Sequence, residues 1–154
     1  MIRVNVVAPM ALTKGILPGM LQRRRGRILN VASTAAFQPG PLMAVYYATK
    51  AFLLSFSEAL ANETAGSGVT VTALCPGPVR TEFQKRAGVG ETRLFHSPLL
   101  LDAKAVARAG YRGMLRGRRV VVPGLANKVL VQAERVTPRR LVTAITRLIQ
   151  ETRK

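Results

Sequence analysis

Apolar residues along this chain follow helical spacing in some stretches and nearly unbroken short runs in others. Ile2, Val6, Met10, Leu12, Ile16, Leu17, Met20 and Leu21 recur as one face of a helix would require, which predicts a first helix over Met1–Arg25. Pro9 and Pro18 fall inside it, where they would bend or end turns. No Ser, Thr, Asp or Asn caps this helix, and its pattern is at full strength from the first residue, so a preceding segment is expected. Gly26–Ala32 reads as a short strand, and Ser33–Pro41 as a loop ending in Gln-Pro-Gly-Pro. A long helix follows over Leu42–Thr64, with Phe52, Leu53, Phe56, Ala59 and Leu60 available for packing, and Gly66 and Gly68 stop it. Val69–Leu74 is nearly continuous in apolar residues, the mark of a strand buried on both faces.

The second half repeats the alternation. Cys75–Thr81 is a turn, and Glu82–Ser97 is irregular, with the character of a lid. Asp102–Arg116 reads as a helix whose acidic start and basic end suit its dipole. Arg118–Val122 is a third strand closed by Pro123-Gly124, and Asn127–Arg135 a short helix. The last helix is expected to open with Thr137 as cap and Pro138 at its first position, and to pack through Leu141, Val142, Ile145, Leu148 and Ile149.

Strands alternating with helices predict an α/β fold: about three parallel strands with flanking helices, part of a doubly wound, Rossmann-like sheet. Ligands of such sheets sit beyond the carboxyl ends of the strands, where Ser33 and the Pro76–Thr81 turn both fall. The 154 residues have the length of one domain and show no repeat, low-complexity tract or linker.

Composition narrows the function. A hydrophobic content of 48% excludes a disordered chain. The net charge of +17, mostly arginine, would suit nucleic acid, an anionic membrane or a phosphorylated ligand. No nucleic-acid motif accompanies it and aromatics are only 5%, so stacking platforms are scarce and nucleic acid is not the expected partner. The charge is expected to be a solvated surface, or one whose acidic counterpart lies elsewhere. No uninterrupted apolar run reaches the roughly 18 residues of a membrane span, so no membrane partner is expected. Nor is export expected, because Asn5 and Pro9 interrupt the N-terminal apolar stretch. The one cysteine, Cys75, ends an apolar strand and reads as a buried small hydrophobe, which fits a reducing, cytoplasmic setting. His96 has no partners at metal-ligand spacing, so no metal is expected.

The chemistry lies between Asn30 and Lys50. Tyr46 and Lys50 are four residues apart on a predicted helix and therefore share a face. A phenol beside an ammonium is favoured in its ionised form and can pass a proton near neutral pH. Ser33, at the end of a strand, would hold a carbonyl or alcohol oxygen against that pair. Ser33 followed thirteen positions later by Tyr-x-x-x-Lys resembles the active-site segment of the short-chain dehydrogenase/reductase family. Asn5, twenty-eight positions before Ser33, matches that family's fourth catalytic residue, and Pro76-Gly77-Pro78-Val79-Arg80-Thr81 matches its cofactor motif.

The resemblance implies hydride transfer between NAD or NADP and a small carbonyl compound or secondary alcohol. It casts Tyr46 as general acid or base and Lys50 as the group that lowers the Tyr46 pKa and holds the nicotinamide ribose. Ser33 orients the substrate oxygen, and Asn5 holds a relay water. Tyr46, Lys50, Pro76, Gly77, Val79 and Thr81 would bind the cofactor, although Thr81 would also serve as a simple turn cap and Asn5 as a helix kink. Tyr47 reads as packing. The family's Gly-rich phosphate loop is absent, so the chain reads as a single partial domain over residues 1–154, the second half of a family domain. A homo-oligomer through the two long helices is implied. The alternative is a truncated, inactive member acting as a binding or dimerisation module.

Overall fold

The structure, a computed structural model, describes residues 1–79 and 100–151. Three parallel strands, β1 (Gly26–Val31), β2 (Val69–Leu74) and β3 (Val120–Val121), form a sheet in the order β1-β2-β3. β1 and β2 pair from Gly26 opposite Val69 to Val31 opposite Leu74, and β3 meets β2 at Ala73 and Leu74. This is the expected Rossmann-like arrangement, with β3 shorter than the sequence pattern indicates.

Two helices cover one face. α1 (Ala8–Gln22) continues without a break from a π-helical turn at Arg3–Val7, and α2 spans Ala44–Glu63. Leu54 and Leu60 of α2 enter the core beside Ala73 and Cys75 and beside Ile28 and Val71, respectively. Leu17 and Met20 of α1 close the Ile28 end. The other face takes α3 (Ala103–Leu115), where Val106 packs with Leu74 and Val121. Two glycines let α3 approach closely, Gly110 against Leu74 and Gly113 against Val121. β2 is buried on both faces, so the Val-Thr alternation at its start does not leave one face in water: Thr72 is as buried as Ala73. Asp102 caps α3 as expected, accepting a bond from the Ala105 N–H at 2.9 Å. Cys75 is fully buried, and burial pushes its thiol up to about 12.

Four details depart from the sequence pattern. α1 is a helix, but its apolar stripe lies mostly in the open; Thr13 is its one buried residue. Together with the π-helical turn it makes one helix, Arg3–Gln22, long and apolar enough by length and composition to cross a membrane. A count of uninterrupted apolar residues missed this because Asn5, Thr13 and Lys14 divide the run.

The remaining two concern α4 (Leu125–Val136) and α5 (Arg139–Gln150). Thr137 does not cap α5; its hydroxyl donates back to the Ala133 carbonyl at 2.7 Å and so closes α4, while Pro138 stands before the first turn of α5. The packing stripe of α5 is also different. The helix buries Val142, Thr146 and Gln150, and leaves Leu141, Ile145, Leu148 and Ile149 exposed.

Candidate active site

A cavity of about 540 Å³ opens beyond the carboxyl ends of β1 and β2, beside the first turns of α2. Asn5, Ser33, Tyr46, Lys50, Pro76, Gly77 and Val79 all line it. Seven positions scattered over the first half of the sequence are thus gathered at one opening, and of the candidate site residues only Thr81 lies outside the described residues.

The chain leaves β1 at Val31 and turns at Ser33 into a 3-10 segment, Thr34–Phe37. Ser33 begins that segment as its cap, its Oγ accepting from the Ala35 N–H at 3.1 Å and lying 3.5 Å from the Pro76 carbonyl. The Ser33 hydroxyl also hydrogen-bonds the Tyr46 side chain. α2 begins at Ala44, so Tyr46 and Lys50 stand one turn apart at its start, with the Lys50 ammonium 5.8 Å from the Tyr46 ring centre. Lys50 Nζ donates to the Val31 carbonyl at 2.9 Å, a group that β2 leaves free at the outer side of β1.

The electrostatics differ from expectation. Burial raises the Tyr46 pKa above its ordinary value, and the Ser33 bond offsets only part of that. Burial likewise pushes Lys50 down, against a smaller opposite effect of Cys75. The lowering of Tyr46 expected from Lys50 does not prevail, because the ammonium sits over the ring and is committed to Val31. In this geometry Tyr46 is a protonated phenol, a donor.

Asn5 occupies the middle of the π-helical turn. One added residue in a turn swings its side chain toward α2, where Nδ2 donates to Thr49 Oγ1 at 3.1 Å. Thr49 in turn donates to the Tyr46 carbonyl at 2.8 Å. Asn5 therefore reaches the Tyr46 turn through Thr49, with Lys50 on the same cavity wall.

The second strand end supplies the opposite wall. The Pro76 carbonyl accepts from the Thr34 N–H at 2.8 Å, tying the two strand-end loops together. Gly77 lies flat against the carboxamide of Asn127, where a Cβ would collide with it, and Asn127 Nδ2 donates to the Pro123 carbonyl at 3.0 Å. Val79 forms a parallel bridge with Leu101.

The sequence profile described as short chain dehydrogenase matches residues 1–91, more than half of the chain and all the candidate site residues from Asn5 to Thr81. The chain belongs to the short-chain dehydrogenase family. Among curated family members it is 48% identical over 73 residues to very-long-chain 3-oxoacyl-CoA reductase of Laccaria bicolor, a match covering 47% of this chain and 22% of that protein. It is 38% identical over 98 residues to hydroxysteroid dehydrogenase-like protein 1 of Gallus gallus, covering 64% and 30%. Among solved structures, the short-chain dehydrogenase from Sphingobium yanoikuyae in complex with NADPH superposes with a TM-score of 0.74 at 31% identity, covering 88% of this chain and 53% of that one. The chain thus spans about half of that solved relative and under a third of those two curated ones.

The residues lining the cavity can be compared with what a nicotinamide would need. A cation at Lys50, the hydroxyl of Tyr46 and the backbone of Pro76–Val79 face one cavity, a donor set that suits a ribose and a carboxamide. Among the described residues nothing comparable is present for phosphates, since there no Gly-rich turn joins a strand to a helix. Among the described residues no three His, Cys, Asp or Glu side chains gather as a metal site would require; His96 lies outside them.

Sequence reasoning passed over three side chains here. Thr49 shares the face of Tyr46 and Lys50, and its place in Tyr-x-x-Thr-Lys was the available signal. Asn127 follows a Pro-Gly turn, which marked it only as a helix start. Tyr47 is buried, as expected of packing, but its hydroxyl also accepts a 2.6 Å bond from Gln150, and nothing local to either residue foretells that contact.

Proposed function

We propose that this chain carries the proton-transfer half of an NAD(P)-dependent oxidoreductase that interconverts a carbonyl compound and a secondary alcohol. The observation that carries the reading is the Tyr46 hydroxyl bonded to Ser33, with Lys50 one helical turn away, at the mouth of a cavity beyond two parallel strands.

Bound against Lys50 and the Pro76–Val79 backbone, a nicotinamide would supply or accept the hydride. Everything else falls to side chains of this chain. Ser33 Oγ donates to the substrate oxygen and fixes its direction. In reduction Tyr46 gives its proton to that oxygen, and in oxidation it takes the proton back. At neutral pH the phenol is loaded, as the first direction requires. Lys50 contacts the ribose and counters the charge that appears on Tyr46 Oη when the proton leaves. Asn5 holds the α2 turn through Thr49 and stands where a proton relay to Lys50 would begin. Gly77 and Val79 would line the carboxamide pocket; Thr81, expected to join them, lies outside the described residues. The full cofactor site needs a phosphate-binding element that this chain does not contain, so we infer that the chain is the second half of a family domain.

The names of the relatives direct the first assays to 3-oxoacyl thioesters and ketosteroids with NADPH. In a preparation that turns over either class, Tyr46→Phe should lower kcat by about 10²–10⁴-fold, the range of general acid catalysis, with KM little changed. A Phe variant as fast as the parent would overturn the role given to Tyr46. A parent that binds no NADPH yet forms a stable dimer would favour the dimerisation module instead.

A further inference from the structure

Among the described helices α5 has the strongest division of apolar from charged residues, yet the apolar side is not the side that it buries. Val142, Thr146 and Gln150, four apart, face the protein, and Gln150 anchors the helix by its bond to Tyr47. Leu141, Ile145, Leu148 and Ile149 are left 52%, 45%, 56% and 37% exposed. Arg140 and Arg147, two turns apart, run along the margin of that apolar strip, and both are exposed. A helix held by a polar edge with its leucines outward is not packed as a core helix would be.

α4 repeats the arrangement immediately upstream. Leu125, Val129 and Val136 are 78%, 60% and 85% exposed, with Lys128 and Arg135 on the same helix. From Arg135 to the end of the chain there are six basic residues and one acidic one. Two consecutive helices therefore present apolar side chains bordered by cations. Nucleic acid would use the cations and leave the leucines in water. The partner that satisfies both is an anionic lipid surface, whose acyl layer takes the apolar strip while the arginines reach its phosphates.

We propose that α4 and α5 dock this chain on the surface of anionic membranes, lying in the interface rather than spanning it. The proposal does not depend on the catalytic reading. Because the whole protein is strongly basic, retention on anionic vesicles alone would not establish it; the test must report on α5 itself.

The chain has no tryptophan, so Leu148→Trp places a single reporter in the strip. With equimolar phosphatidylcholine–phosphatidylglycerol vesicles its emission should shift to the blue and be quenched by bromines on the acyl chains; phosphatidylcholine vesicles should leave it unchanged. Leu141→Ser with Leu148→Ser should reduce vesicle binding at least about tenfold, because both residues are already exposed and the loss is of insertion rather than folding. Arg140→Gln and Arg147→Gln should each weaken binding about fivefold. The same charge removed at Arg23 and Arg25 should weaken it less. Circular dichroism should be unchanged throughout. Co-sedimentation with a reporter still in water would overturn the proposal, since the charge would then be binding elsewhere. It would also be overturned if the double serine variant bound vesicles as the parent does but changed a dimer to a monomer, for the strip would then serve a second copy.

Discussion

Glu134 and Tyr46 are two acids that burial holds in their neutral forms. Glu134 sits on α4 with Oε2 sealed from solvent and, among the described residues, without a hydrogen-bond partner; burial pushes its pKa up to about 7. The unfolded chain gives up that proton near 4.5. Between about pH 4.5 and about pH 7 the folded protein therefore holds a proton that the unfolded one has released, and folding stability falls as pH rises through that window. Below it both states are protonated and above it both are ionised, so the slope is confined there. Glu134→Gln should remove the slope: in urea titrations the variant should gain on the parent as pH is raised from acid to neutral. Parallel curves would show that Glu134 ionises normally. The same physics moves Tyr46 further from phenolate, against the direction expected from Lys50.

The loops after β1 and β2 make the site, and the Pro76–Val79 loop rests on one carboxamide. Gly77→Ala would drive a Cβ into Asn127, so either the loop lifts from its support or α4 is displaced. A loss of about 1–3 kcal/mol of stability is expected from such overpacking, measured by chemical denaturation, with the pocket-facing backbone disturbed first. Asn127→Ala in the same chain should restore much of it by making room; no rescue would mean that the strain lies elsewhere. The elements themselves were largely readable from the sequence. Unbroken apolar runs marked β1 and β2, and the interval from Ser33 to Tyr46 and Lys50 is long enough to cross from a strand end to the first turns of a helix. What could not be read were the choices made by distant contacts. Thr137 had equal claims as the cap of the helix after it and as a hydroxyl bonding back four residues, and the second prevailed. The inward face of α5 was set by Tyr47, 103 positions away, against the pull of its own leucines. The π-helical turn at Asn5 leaves no mark in the spacing of apolar residues.

Among the described residues the sheet is covered on both faces, by α1 and α2 on one and α3 on the other, and open at its β1 edge. β1 pairs only with β2 among the described residues, and Val31 on it is exposed. Met10, Leu12 and Ile16 of α1 also stand in water. Surfaces of this kind are covered in a stable protein, and we propose that a second copy covers the α1 strip. Leu12→Glu with Ile16→Glu should shift sedimentation from dimer to monomer without loss of helix content; a parent that sediments as a monomer would refute the pairing. The catalytic arrangement also depends on a count of residues, through the turn at Arg3–Val7. That turn accommodates one residue more than an α-helix would, and each residue is worth about 100° of rotation. Deleting a single residue there would let the helix wind regularly and turn everything before the deletion to another compass bearing, Asn5 included if it lies on that side. A length change of one could silence the Asn5–Thr49 link while every side chain of the site remained in the sequence, so that for this stretch an alignment gap would matter more than a substitution.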